Sequence, residues 1–115
     1  MNIEQFRDYC LSLAGVTEEF PFGEQTLVYK VMGKIFALTD IDNFESVNLK
    51  CDPEEAVELR ERYEGVTPGY HMNKKHWNTV SMEAGIANKL LYEWIRKSYD
   101  LVVASLPKKV RESLL

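Results

Sequence analysis

Apolar positions recur at helical spacing at both ends of the chain and alternate with polar ones in its middle. Ile3, Phe6, Cys10 and Leu13 share one face of a helix predicted over 2–13, with Tyr9 at its border. Asn2 is its cap, Gln5 three residues on completes a capping box, and Gly15 supplies the stop. Thr17 to Gly23 reads as a turn or edge segment, because Pro21 cannot donate to a sheet ladder. Phe20 and Phe22 are expected to cover one end of the core, and Glu18, Glu19 and Glu24 to be solvated. Thr26–Met32 and Lys34–Asp40 are rich in β-branched and aromatic residues and predict a hairpin turning at Gly33. Val47 and Leu49 alternate with Ser46, Asn48 and Lys50 in a third strand.

Asp52-Pro53-Glu54-Glu55 then opens a helix. The Asp caps it, the Pro sits where no N–H is needed, and the acids suit the positive end of the helix dipole. Ala56, Leu59 and Tyr63 form its narrow apolar stripe, with Val57 beside it, and Gly65 ends it. Arg60 and Arg62 are expected to pair with Glu58, Glu61 and Glu64. Pro68-Gly69 breaks regular structure, and Asn73 caps a brief turn through Lys74, Lys75 and His76. Trp77 to Met82 returns as a strand with Trp77, Thr79 and Ser81 on one face and Asn78, Val80 and Met82 on the other. A long helix follows from about Ala87 to Leu106. It buries Leu90, Leu91, Trp94, Ile95, Val102 and Val103, is stopped by Pro107, and precedes a short tail helix with Lys108, Lys109 and Arg111. The order of elements predicts an α+β fold, an antiparallel sheet packed by helices, in one domain over residues 1–115.

Composition adjusts this picture only at the edges. With 45% hydrophobic and 28% charged residues in 115, the chain can bury a core without disulfides or metal. A net charge of −4 argues against a broadly basic, nucleic-acid-coating surface, though not against a local basic patch. Cys10 and Cys51 are not in a Cys-x-x-Cys spacing and read as free thiols in a reducing compartment. The chain shows no signal-peptide pattern and no apolar run of membrane-spanning length, so a cytoplasmic protein is expected.

Candidate chemistry concentrates between Gly65 and Ser81. That stretch holds both histidines, a Lys-Lys pair, a Tyr and a Trp, and contains no carboxylate although acids outnumber bases overall. Lys and His donate to phosphate oxygens, aromatic faces stack on unpaired bases, and a capped turn offers N–H groups to an anion. Tyr70, His71, Asn73, Lys74, Lys75, His76 and Trp77 are the candidate nucleic-acid contacts, extended by Lys108 and Lys109 if the tail folds back. Four or five cations would give a salt slope of about −3 to −4, which is weak binding at physiological salt. Each residue has a structural alternative. Trp77 suits a core anchor, Tyr70 a loop pin, Lys74 and Lys75 a solvated turn, the histidines internal hydrogen bonds, and Lys108 and Lys109 the negative end of the long helix's dipole.

Several motifs resemble the MmcQ/YjbR family: Pro21-Phe22-Gly23, Lys34-Ile35-Phe36-Ala37, Asn48-Leu49-Lys50-Cys51-Asp52-Pro53, and the long Thr67-Pro68-Gly69-Tyr70-His71-Met72-Asn73-Lys74-Lys75-His76-Trp77 run, with Ser98-Tyr99 and Leu106-Pro107-Lys108-Lys109. The resemblance covers nearly the whole chain. It implies a small bacterial cytoplasmic protein with a double-wing α+β fold, similar in outline to secretion chaperones. Members of this family are commonly labelled DNA-binding, and no catalytic residues carry over.

Other chemistries fit poorly. His71 and His76 are five apart and match no paired-Cys or His-Glu-x-x-His metal pattern. Phosphate-loop, dinucleotide and nucleophile-elbow fingerprints are missing. For a His–Cys pair, Cys51 beside a helix N-terminus is the better thiol. The expectation is a DNA- or single-stranded nucleic-acid-binding protein with weak affinity, no enzyme, no metal and no cofactor, and a monomer or weak homodimer. A protein-interaction or chaperone-like module, and a small-anion or nucleotide pocket around His71, Lys74 and His76, are the alternatives.

Overall fold

The computed structural model describes residues 1–69 and 72–114. The chain runs α1 (Ile3–Ser12), β1 (Val16–Glu19), β2 (Thr26–Val31), β3 (Lys34–Asp40), β4 (Ser46–Lys50), α2 (Pro53–Arg62), β5 (Val66–Pro68), β6 (Trp77–Ser81), α3 (Asn88–Ala104) and α4 (Lys108–Glu112). The strands form one antiparallel sheet in the order β1-β2-β3-β4-β6-β5. Only β5 and β6 are out of sequence order, which places α2 and the segment after β5 at one edge and α1 at the other.

Local chemistry sets the element ends. The Asn2 side chain accepts from the Gln5 N–H at 2.8 Å and the Gln5 side chain accepts from the Asn2 N–H at 3.0 Å, completing the capping box. Met32 (φ 49°) and Gly33 (φ 86°) both take left-handed backbone, as a tight two-residue hairpin turn requires. Asp52 accepts from the N–H groups of Glu54 and Glu55 at the start of α2.

Alternation along the strands puts one row, Leu27–Thr39–Val47–Val80–Val66, and the next, Tyr29–Ala37–Leu49–Asn78, on the face covered by the helices. Against them α3 buries Leu91, Trp94, Ile95, Ser98, Tyr99 and Val102, and α1 buries Phe6 and Cys10. A bulge beside Tyr29 and Lys30 leaves Phe36 as the extra residue of β3, and its ring meets Tyr99 edge-on at 5.5 Å. Pairing of β3 with β4 stops at Ala37–Leu49. There the fully buried Ser98 hydroxyl spans the gap, donating to the Phe36 carbonyl at 2.5 Å and accepting from the Lys50 N–H at 2.8 Å. The Tyr99 hydroxyl donates to the Ala14 carbonyl at 2.6 Å and ties α3 to the end of α1. The Ser98-Tyr99 pair is therefore an assembly device that joins three parts of the chain. The opposite face of the sheet carries Thr17, Lys30, Asn48, Lys50 and Thr79, polar positions of the same alternation, with Trp77 among them.

Two sequence expectations give way here. Phe20 and Phe22 do not cover the core; they are 47% and 65% exposed, because β1 ends at Glu19 and the loop carries them off the sheet. Glu18 and Glu19 are not simply solvated. Glu18 lies on the helix face of the edge strand, where it accepts from Arg7 Nε at 2.8 Å and from the Tyr29 hydroxyl at 2.9 Å. Burial, then this carboxylate, push the Tyr29 hydroxyl pKa up. Glu19 accepts from Thr17 and Lys30, which lower its pKa.

Among the described residues no helix is long and apolar enough to cross a membrane.

Candidate nucleic-acid interface

The segment singled out by its residue types leads into β6 through a tight turn. Asn73 organises it. Its carbonyl accepts from the His76 and Trp77 N–H groups at 3.1 and 3.0 Å, and its side-chain oxygen accepts from the Lys75 N–H at 2.9 Å. This is the self-capped turn the sequence predicts, and it leaves the side chains of Asn73, Lys74 and Lys75 exposed. The His76 carbonyl accepts from the Cys51 N–H at 2.7 Å, which fastens the turn to the end of β4.

A second clamp comes from α2. Arg60 Nε donates to the side-chain oxygen of Asn78 at 2.7 Å, and Arg60 Nη2 donates to the carbonyls of Lys74 and, at 3.4 Å, of Trp77. Asn78 is 2% exposed and its amide also donates to the Ala56 carbonyl at 3.4 Å. Arg60 thus does not serve the glutamates of its own helix, as the sequence had suggested. One planar guanidinium reaches three acceptors on another element, which a helix-surface ion pair cannot match for rigidity. Arg62 instead lies with its guanidinium 5.9 Å from the Tyr63 ring centre.

The other candidate residues divide. Trp77 is 8% exposed and on the sheet face away from the helices, in register with Lys50. Gly69 backs onto it: its N–H donates to the Trp77 carbonyl at 2.9 Å, and a Cβ on Gly69 would come within 2.9 Å of the Trp77 Cβ. The indole is a packing anchor and has no face open to a base. His76 is half-buried. Tyr70 and His71 lie outside the described residues. Lys108 and Lys109 are exposed on α4, and the chain that follows α4 runs to the β1 edge, where a Cβ on Gly15 would meet Leu114 and Met32. That edge is four strand spacings from β6, roughly 19 Å.

Acids also come closer than the linear stretch suggests. Lys74 and Lys75 share a shallow groove with Pro53, Val57, and the α2 carboxylates Glu54 and Glu58. The local charge is mixed. The thiol that seemed best placed for reactivity is quiet: burial first, then the Glu55 and Asp52 carboxylates, raise the Cys51 pKa to about 11. Among the described residues no three His, Cys, Asp or Glu side chains come together as metal ligands. Arg60 and Asn78 are the residues that sequence reasoning missed. One signal was present, since Asn78 shares the apolar parity of Val80, and a polar side chain at such a position needs a buried partner.

The comparisons with known proteins are consistent with this architecture. The YjbR family profile matches residues 11–101. The chain is 38% identical to the uncharacterized protein YbdF of Escherichia coli O157:H7 over 107 residues, 92% of this chain and 88% of that one. It is 30% identical to the uncharacterized protein YjbR of Escherichia coli K12 over 116 residues, covering 100% of this chain and 98% of the relative. Among solved structures, the Deinococcus radiodurans protein DR2400, with a DUF419 domain, superposes with a TM-score of 0.91 at 40% identity, covering 98% of this chain and 87% of that one. A Pseudomonas syringae protein superposes with a TM-score of 0.73 at 28% identity, over 88% of this chain and 98% of its own.

Proposed function

This chain belongs to the YjbR family, and from that premise we propose that it is a low-affinity nucleic-acid-binding module that meets phosphate through the Asn73–His76 turn. The observation that carries the reading is the clamp on that turn. Arg60 and Asn73 fix its backbone from both sides while the Lys74 and Lys75 side chains remain exposed. Two cations on a fixed backbone lose less entropy on binding than two on a mobile loop. The contribution of Trp77 is indirect, since it anchors the strand that the turn leads into.

With only two lysines in contact, the expected salt slope is smaller than the sequence suggested. It is about −1.4 on single strands and about −1.8 on duplex. The neighbouring carboxylates of Glu54 and Glu58 weaken it further. Fluorescence anisotropy on short single-stranded and duplex DNA across a salt series tests this. Affinity in the weak, sequence-independent range, roughly 10⁻⁴ M, should fall with salt and be lost in Lys74→Ala/Lys75→Ala. Binding that ignores salt, or survives the double substitution, overturns the proposal.

A further inference from the structure

Between α1 and α3 lies a groove lined by Tyr9, Lys89, Tyr92, Glu93, Arg96 and Lys97. The two tyrosine rings touch at 4.8 Å between centres, tilted by 56°, and both are half-buried, so part of each ring faces outward. Lys89 lies three residues before Tyr92 and Arg96 four after it, spacings that return to one side of α3, and Lys97 stands on the adjoining row. Lys89 and Arg96 are seven residues apart, roughly 10 Å along the axis.

Arg96 is already oriented. Its Nε donates to Asp100 at 3.0 Å and its guanidinium lies 5.4 Å from the Tyr99 ring centre. A guanidinium has five donors in a fixed plane, so holding one leaves others to meet a phosphate oxygen. Lys97 also lines the groove, and its ammonium is joined to Glu55 of α2 at 2.6 Å. Both ion pairs are solvent-exposed, and pairs of that kind are weak enough for an incoming dianion to share or displace them. Glu93 puts one carboxylate into the groove, an acceptor for sugar hydroxyls.

We propose that the α1–α3 groove is a separate binding site for a nucleotide, with the base against the Tyr9–Tyr92 pair, the phosphate on Lys89, Arg96 and Lys97, and the ribose hydroxyls at Glu93. A phosphate alone would use only the cations and a nucleoside only the rings and the carboxylate, so the site selects the molecule that carries all three. This site is distinct from the one argued above. It draws on α1 and α3, and none of its residues belongs to the Asn73–Trp77 turn. The same chemistry could come from a free nucleotide or from the end of a nucleic-acid strand.

The experiment is an NMR titration that follows the ring signals of Tyr9 and Tyr92, with adenosine monophosphate as the probe and inorganic phosphate and adenosine as parallel arms. The nucleotide should shift both rings and bind about tenfold or more tighter than either fragment, as expected when a stacked ring and a charged contact each supply about one factor of ten. Lys89→Gln/Arg96→Gln, two exposed positions, should weaken it about tenfold with the fold intact, whereas Lys74→Ala/Lys75→Ala should leave it unchanged. Competition by a short oligonucleotide assigns the groove to strand ends, and its failure to compete assigns it to free nucleotide. No shift of either ring at millimolar nucleotide overturns the proposal. So does equal binding of phosphate alone, or loss of binding in the Lys74/Lys75 variant.

Discussion

The Asn73–Trp77 turn and the α1–α3 groove both set cations beside aromatic rings, and they do it by opposite routes. In the turn the residues are contiguous, the ring is buried at 8% exposure, and two acids of α2 line the same groove. In the groove the residues come from positions 9 and 89–97, the rings are half-exposed, and Glu93 joins three cations, two of which are paired with Asp100 and Glu55. A run of suggestive residues in sequence need not present them together. Alternation in a strand sends Trp77 and Asn78 to opposite faces, while a helix returns Lys89, Tyr92 and Arg96 to one. Both regions depend on α2. Its Arg60 clamps the turn and its Glu55 holds Lys97, so one acidic helix touches both cationic features.

If that contrast is right, disturbing the turn should cost stability before it costs binding chemistry. The largest effect is expected for Trp77→Ala, which should lower the unfolding free energy by about 3–5 kcal/mol, as a buried aromatic does. Denaturant melts measure this, and a loss below about 1 kcal/mol would return Trp77 to the list of exposed contact residues. Next comes Arg60→Ala. It strips the Arg60 donor from the buried Asn78 oxygen and from the Lys74 carbonyl, leaves the Trp77 carbonyl with Gly69 as its donor, and should cost about 1–3 kcal/mol. Under the proposed function it should also weaken salt-dependent binding of DNA, because the turn that carries Lys74 and Lys75 loses its clamp. A variant as stable as the parent would show that the clamp does not hold the turn. The smallest effect is expected for Lys74→Ala/Lys75→Ala, within about 0.5 kcal/mol of the parent, so that any loss of binding is chemical. A larger shift in the melt would mean the lysines belong to the structure.

Much of the fold was legible in the sequence because it is decided locally. The capping box at Asn2, the Met32-Gly33 turn, Asp52 with Pro53, and the alternation in β4 and β6 each fix an element within a few residues of itself. The Asn73 cap was legible for the same reason. Phe20 and Phe22 were misjudged because apolar type states a preference for burial and cannot say whether the loop returns to the core. Arg60 was misjudged because a long side chain has partners both along its helix and across space, and only the second set is rigid.

By itself, the sequence determined the helices and the strands β2, β3, β4 and β6, that the sheet is antiparallel with helices on it, and that cations and rings gather before β6. Those follow from backbone geometry and the periodicity of burial, both short-range. Val16–Glu19, read as part of a turn or edge segment, and Val66–Pro68, read as irregular, are strands through their pairing with β2 and β6. Only the tertiary structure decided that β6 lies between β4 and β5, that Arg60 closes on Asn78, that Leu114 packs at the other edge, and that Tyr9 meets Tyr92. Such contacts join residues far apart in the chain. Their free energy comes from packing and desolvation that exist only once the elements have docked.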